Sequence, residues 1–376
     1  MARSITPAEL YADIDEGRCS YILDVRNQDE YAVWRIEGTR DVPMRNVPIW
    51  VAVEQSETLA QEIPDDTVVV CAHGNGSDLL IDVLTDEGRR VRTLEGGTAA
   101  WAELLVPRRM ECLPEGMVGY QIARPAKACL SYLIGAPGHG CVVVDPARFP
   151  TMYLDLAAAH GMAITHVVDT HIHADHISGG PALAGRLDVP YHVPMEDAGA
   201  STPFVNTPLG DGAVLDVGEG RLEVLAIKMP GHTPGSTCIH IPGHVLLTGD
   251  TVFVRGLGRP DLTGKASELA SELFHTIHER LAPLDRSTTV MPSHWTLSDE
   301  IDDQGMVQTT LGAIFESQIM TEQDMQVFIE EIIGSLPSAP DFYDTIRLVN
   351  AGQAATAEEI EALEIGKNQC AASTSI

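Results

Sequence analysis

One short stretch constrains this chain more than any other: Thr170-His171-Ile172-His173-Ala174-Asp175-His176. Three imidazoles and a carboxylate crowd together directly behind an apolar, β-branched run, Ala163-Ile164-Thr165-His166-Val167-Val168-Asp169. A strand that stops at such a cluster delivers it from a rigid platform into a loop, which is how protein metal sites are presented. Further along, His232 stands in Pro230-Gly231-His232-Thr233-Pro234-Gly235, Asp250 in Leu247-Thr248-Gly249-Asp250-Thr251, and His294 in Met291-Pro292-Ser293-His294. Each follows an apolar run and sits beside Gly or Pro, so each is again predicted at a strand end. Nothing ties His139, His160, His166, His192, His240, His244, His275 or His278 to this cluster, and these read as ordinary core or surface histidines.

At 376 residues the chain is long enough for two or more domains. Its formal charge is -30, and acidic residues outnumber basic ones 20 to 9 in 1–105 and 34 to 15 in 106–376. Nucleic acid and anionic membrane surfaces, which need basic patches, are therefore not expected as partners. No apolar segment follows a basic start and no run approaches membrane-spanning length, so neither a signal peptide nor a membrane helix is expected. The 7 cysteines are an odd number without a C-x-x-C pair, which fits reduced thiols in a cytoplasmic protein.

Residues 1–105 read as one domain. Thr6-Pro7-Ala8-Glu9 has the form of a capped helix start, with Thr6 as N-cap and Glu9 closing the capping box. Tyr21–Arg26 and Val68–Val70 read as short buried strands, and Asp78–Glu87 as a helix. Alternating strands and helices predict a parallel sheet covered on both faces. The second strand ends at Cys71, which opens the tight loop Cys71-Ala72-His73-Gly74-Asn75-Gly76-Ser77. Loop N–H groups and a helix N-terminus can stabilise an anion on that sulfur. The other reading is an inert thiol at the end of a core strand. Leu23-Asp24-Val25-Arg26, Glu37-Gly38-Thr39-Arg40 with Val42-Pro43, the Cys71–Ser77 loop, and Leu94-Glu95-Gly96-Gly97 with Trp101 together resemble a single-domain rhodanese. The resemblance implies a sulfurtransferase with Cys71 as the catalytic, sulfur-carrying residue, exchanging sulfur with sulfite or thiosulfate. The loop has no arginine, a form similar to the thiosulfate-using type. Trp34 and Trp101 are expected in the core.

Residues 106–116 read as a linker, and 117–350 as a second domain. Met117–Ala123, Cys129–Gly135, Cys141–Asp145, Val214–Val217, Leu222–Lys228, Ser236–Ile241 and His244–Thr248 are strand-like, while Met152–His160 and Lys265–Leu281 are helical. The ordered set His171-x-His173-x-Asp175-His176, His232, Asp250, His294 resembles the metallo-β-lactamase fold, which implies an α+β αββα sandwich. Two branches of that fold are open. One carries two zinc ions for hydrolysis, as in glyoxalase II, with Asp250 bridging. The other binds one Fe(II) per chain through two histidines and a carboxylate. Leu247–Asp261, Asp175-His176-Ile177-Ser178-Gly179-Gly180, Pro230–Gly235 and the late Leu336-Pro337, Pro340 and Asn350 resemble the persulfide dioxygenase family. By that resemblance His171, His232 and Asp250 hold the iron, while Arg259, Thr233 and Asp261 contact the substrate's thiol carrier. His173, Asp175, His176 and His294 then surround the ligands or hold a second metal. The implied reaction oxidises a thiol persulfide, such as glutathione persulfide, with O2 to sulfite and free thiol, in sulfide metabolism. His294-Trp295-Thr296 stands where glutathione-using relatives carry a Tyr, which leaves the carrier open. The rival to this fusion is a two-zinc hydrolase with the first domain a docking module without turnover. Residues 351–376 read as a short helix, Glu358–Glu364, and a polar tail in which Cys370 takes no role. The sequence sets no oligomeric state and leaves room for a homodimer.

Overall fold

The computed structural model describes residues 3–198, 207–217, 223–339 and 342–371. The chain divides into two compact units, Met1–Val106 with Arg124–Lys127 and Ile365–Lys367, and Pro107–Ala123 with Ala128–Glu364 and Asn368–Ile376.

In the first unit five strands form one sheet in the order Ser4–Ile5, Val91–Leu94, Thr67–Val70, Ile22–Asp24, Met44–Asn46. Every pairing is parallel. Alternation along the central strands sends side chains to two separate cores. Ile22, Val68 and Val70 pack with Leu10, Tyr11, Ile14 and Trp101 on one face. Leu23, Val69 and Cys71 pack with Ala52, Leu59, Leu80 and Leu84 on the other. The first helix, Pro7–Asp15, begins as its sequence predicts. Thr6 Oγ1 accepts from Glu9 N at 3.2 Å and the Glu9 carboxylate accepts from Thr6 N at 2.9 Å. Trp101 is fully buried, whereas Trp34 is only half-buried, its ring 5.5 Å from the Arg26 guanidinium.

The second unit is a sandwich of two six-stranded mixed sheets. One runs Tyr191–His192, Ala163–Val168, Gly140–Val144, Cys129–Gly135, Val118–Arg124, Val106–Arg109. The other runs Val214–Asp216, Glu223–Lys228, Thr237–Ile241, Val245–Gly249, Thr289–Pro292, Thr309–Thr310. Val106–Arg109, expected in the linker, is instead an edge strand, a place that Pro107 tolerates because an edge leaves one row of N–H groups unpaired. The predicted helix Lys265–Leu281 divides into an α-helix, Ala266–His275, and a π-helical turn, Thr276–Leu281. Leu273, Ile277 and Leu281 pack from it onto Leu246, Val290 and Phe328. Leu222, expected to open a strand, lies outside the described residues, as do Pro340 and 372–376 of the tail. Among the described residues no helix is long and apolar enough to cross a membrane.

Candidate metal centre

Four strands stop where the cluster residues begin. Ala163–Val168 leads to His171, Glu223–Lys228 to His232, Val245–Gly249 to Asp250, and Thr289–Pro292 to His294. His171 Nε2 lies 3.6 Å and His232 Nε2 3.5 Å from Asp250 Oδ2, and the two imidazole rings stand perpendicular with centroids 5.0 Å apart. All three residues are fully buried, and these three atoms have no hydrogen-bond partner. Leaving buried polar atoms unpaired costs about 1–3 kcal/mol each. Three such atoms converging on one point fit a metal ion. Their far sides are held: His171 Nδ1 is 3.0 Å from Thr170 Oγ1, His232 Nδ1 2.9 Å from Arg259 O, and Asp250 Oδ1 2.5 Å from His294 Nδ1. Burial disfavours charge on His171 and His232, so both titrate below the usual histidine range and offer neutral nitrogens. Burial works against ionising Asp250 too, but His294 and His171 facing it hold its carboxyl well below the usual range.

Three of the other four predicted residues form a chain of hydrogen bonds beside this triad. Asp175 accepts from His176 Nδ1 at 3.1 Å and His294 Nε2 at 2.9 Å, so His294 bridges Asp175 and Asp250. Burial opposes a charge on His294, yet the two carboxylates push its pKa up to about 10. His173 Nε2 is 3.2 Å from Asp145 Oδ1, off the line of a hydrogen bond. Ligand atoms of His173, Asp175 and His176 lie within 4.8 Å of one another, a second cluster able to hold a cation.

Arg259 and Thr233, expected to meet the substrate, are turned to protein partners. The Arg259 guanidinium is fully buried and donates to Asp261 at 2.7 and 2.9 Å, to Gln369 O at 3.0 Å and to Pro337 O at 2.6 Å. The Thr233 hydroxyl donates to Asp197 at 2.7 Å. The reason is the same for both: a buried donor needs an acceptor, and each finds it within the fold.

Sequence reasoning gave no supporting role to three residues that have one. Asp145, at the end of Gly140–Val144, accepts from Thr170 N at 2.7 Å, Thr170 Oγ1 at 2.9 Å and Ser293 Oγ at 2.5 Å, tying two ligand-bearing loops together. Asn350 accepts from Ser178 N and donates to His173 O and His176 O at 2.9 and 2.8 Å. Cys370, read as an ordinary tail thiol, is fully buried, its sulfur grouped with ligand atoms of Asp175 and His294. The polar residues around it, Lys367-Asn368-Gln369, gave no sign of that burial.

In the first unit Cys71 is 8% exposed, and its sulfur accepts from Gly74 N at 3.0 Å with Ser77 Oγ at 3.6 Å. The helix predicted at Asp78 already starts at Asn75, which draws the loop tight; the side chain of Asn75 lies outside what is described. Carbonyls of Cys71 and Ala72 accept from Thr98 N and Ala99 N at 2.8 and 3.0 Å. A Cβ on Gly97 would sit 2.2 Å from Cys71 O, so only glycine admits this grip. Ala72 is half-buried, His73 is exposed, and Gly76 lies alongside the Cys71 sulfur.

Residues 124–300 match the metallo-beta-lactamase superfamily model and 6–104 the rhodanese-like domain model. The chain belongs to the metallo-beta-lactamase superfamily, with a rhodanese-like domain before it. The metallo-beta-lactamase domain is 31% identical over 178 residues to the mitochondrial persulfide dioxygenase ETHE1 of Bos taurus, spanning 46% of this chain and 66% of that protein, just short of two thirds. It is 36% identical over 171 residues to the hydroxyacylglutathione hydrolase of Anaeromyxobacter dehalogenans, covering 46% and 63%. The crystal structure of ETHE1 from Myxococcus xanthus superposes with a TM-score of 0.52 at 26% identity, over 61% of this chain and 96% of that one. A metal-binding enzyme fold is thereby established.

Proposed function

We propose that this protein oxidises a low-molecular-weight thiol persulfide with O2 to sulfite and free thiol, and that residues 1–105 transfer sulfur through Cys71. The observation that carries the reading is the metal-binding triad of two histidines and one carboxylate. Its three inward atoms are unpartnered, while Asp175, His176 and His294 are occupied with one another. One Fe(II), held by His171, His232 and Asp250, would supply open coordination positions and the electrons that activate O2, neither of which a side chain offers. The protein's share is positional. Thr170 and the Arg259 carbonyl fix the ring orientations of His171 and His232, and His294 fixes Asp250. Burial of the whole triad keeps bulk water away from reactive sulfur. The net change consumes one persulfide, one O2 and one water, and the sulfane sulfur leaves as sulfite.

In the first unit the Cys71 thiolate would attack the sulfane sulfur of a donor, break the donor's S–S bond and keep the sulfur as a persulfide. Gly74 N and Ser77 Oγ stand at hydrogen-bond range to receive the negative charge. Passing that sulfur to sulfite gives thiosulfate; the reverse direction supplies thiol persulfide. Either way the two reactions share intermediates, which gives the fusion a chemical reason.

The test is oxygen uptake by Fe(II)-loaded protein given glutathione persulfide, with sulfite and metal quantified together. Equimolar sulfite and O2, about one iron per chain, and loss of both in His232→Ala support the reading. A second reading has its own observation: the cluster His173, Asp175, His176 and the hydrolase relative fit a two-zinc thioesterase. About two zincs per chain, with no oxygen uptake on any thiol persulfide, would replace the first reading by this one.

A further inference from the structure

Among the acidic residues in the sequence that joins the metal-bearing loops, Asp197 is one that neither the motif nor the function uses. Asp197 lies in the single helical turn Met195–Ala198. Its Oδ2 accepts from Ile172 N at 3.3 Å and from the Thr233 hydroxyl at 2.7 Å, while its Oδ1 accepts from Gly235 N at 2.7 Å. Ile172 follows His171 and Thr233 follows His232 in the chain. One carboxylate therefore clamps the neighbours of both histidines, from 25 and 36 residues away. The fit is close: a Cβ on Gly235 would stand 2.8 Å from the Asp197 carboxyl carbon, so the loop passes it at backbone distance. Thr233 is fixed a second time, its hydroxyl 2.9 Å from Ser236 Oγ and its N–H donating to the same oxygen at 3.0 Å. By contrast, the far nitrogens of His171 and His232 bond within their own surroundings, to Thr170 and Arg259, and neither bond spans the two loops.

We propose that Asp197 is a positioning residue that sets the separation and facing of His171 and His232, and so the affinity and geometry of the metal they hold. The inference rests on these two histidines being ligands and is independent of which metal they take or which reaction follows. A carboxylate is the group this task needs, since all three of its neighbours are donors and an acceptor-only group can serve them together. Asn in its place would turn an N–H2 toward at least one N–H or O–H donor.

Cobalt(II) tests this on the full chain, because its visible spectrum reports ligand geometry apart from any turnover. Wild type, Asp197→Asn, Asp197→Ala and His232→Ala are titrated against a competing chelator, with folding followed by circular dichroism. Loss of a group that orients ligands lowers metal affinity about 10–100-fold. A folded Asp197→Asn with that loss and an altered cobalt spectrum is the expected result. Wild-type affinity and spectrum in folded Asp197→Asn would overturn the proposal, and so would weaker binding with an unchanged spectrum, which is what general loosening produces. If both Asp197 variants fail to fold, Thr233→Val removes one of the three donors. It should then shift affinity and spectrum in the same direction by less, and no shift counts against the clamp. Wild-type cobalt binding in His232→Ala would instead sink the ligand assignment beneath it.

Discussion

At the scale of single residues, the centre is defined as much by what was kept small as by what ligates. A Cβ on Gly258 would stand 1.8 Å from Asp250 O and 2.9 Å from His232 Cβ, so the chain here passes two residues of the triad with no room for a methyl group. Gly258→Ala should therefore cost about 2–3 kcal/mol of stability, as overpacking does, and weaken metal binding along with it. Urea unfolding of the metal-free protein reads the first and chelator competition the second; an unchanged urea midpoint would contradict the close approach. Cys71 is subject to a cleaner separation, because its sulfur lies in a unit with its own sheet and core. Cys71→Ser should abolish sulfur transfer from thiosulfate and leave oxygen uptake on glutathione persulfide at the wild-type rate. Retained transfer would make the loop a docking element.

Elements carry these residues to their places, and their legibility in the sequence varied for physical reasons. Runs such as Val68-Val69-Val70 and Ala163–Val168 announce strands by their β-branched side chains, and the sites at their ends were readable with them. Val91–Leu94 and Met44–Asn46 announce nothing: the first carries Arg92, the second is three residues long, and each becomes a strand by pairing with its neighbour. Asp145 and Asp197 were invisible as supports for the same reason, and Asn350 was marked by the resemblance without a role, since their partners lie 25 to 177 residues away. The helix Tyr343–Asn350 illustrates this, for its last residue ties down the loop that carries His173 and His176. Asn350→Ala would leave Ser178 N and two buried carbonyls without partners, at about 3 kcal/mol, and should lower metal affinity about tenfold. Thermal melting and chelator competition check both numbers; an unchanged affinity would mean that the loop holds its shape unaided. The helix Pro7–Asp15 gives a contrast, because its cap was legible and touches no site. Thr6→Ala should cost about 1 kcal/mol in urea unfolding, while sulfur transfer stays unchanged.

For the whole molecule, the division into two units with separate cores implies that ligand binding at one leaves the other's stability alone. A metal that binds only the folded second unit stabilises it by about 2.7 kcal/mol at a free concentration one hundred times its dissociation constant. Calorimetry of the metal-free chain should show two transitions, and adding Fe(II) under anaerobic conditions should raise one of them. Chelator should return it to its starting temperature. The net charge of -30 complicates the reading, since any cation screens repulsion in so acidic a chain and both units are acidic. The comparison is therefore made at constant ionic strength with magnesium as the control, whose preference for carboxylate and water oxygen over imidazole keeps it out of a two-histidine site. A rise in one transition with iron and in neither with magnesium places the ion at a histidine-bearing site of the second unit, and loss of that rise in His232→Ala assigns it to the triad. Equal rises in both transitions with either ion would reduce the effect to screening, and the triad's unpaired nitrogens and oxygen would then need another partner.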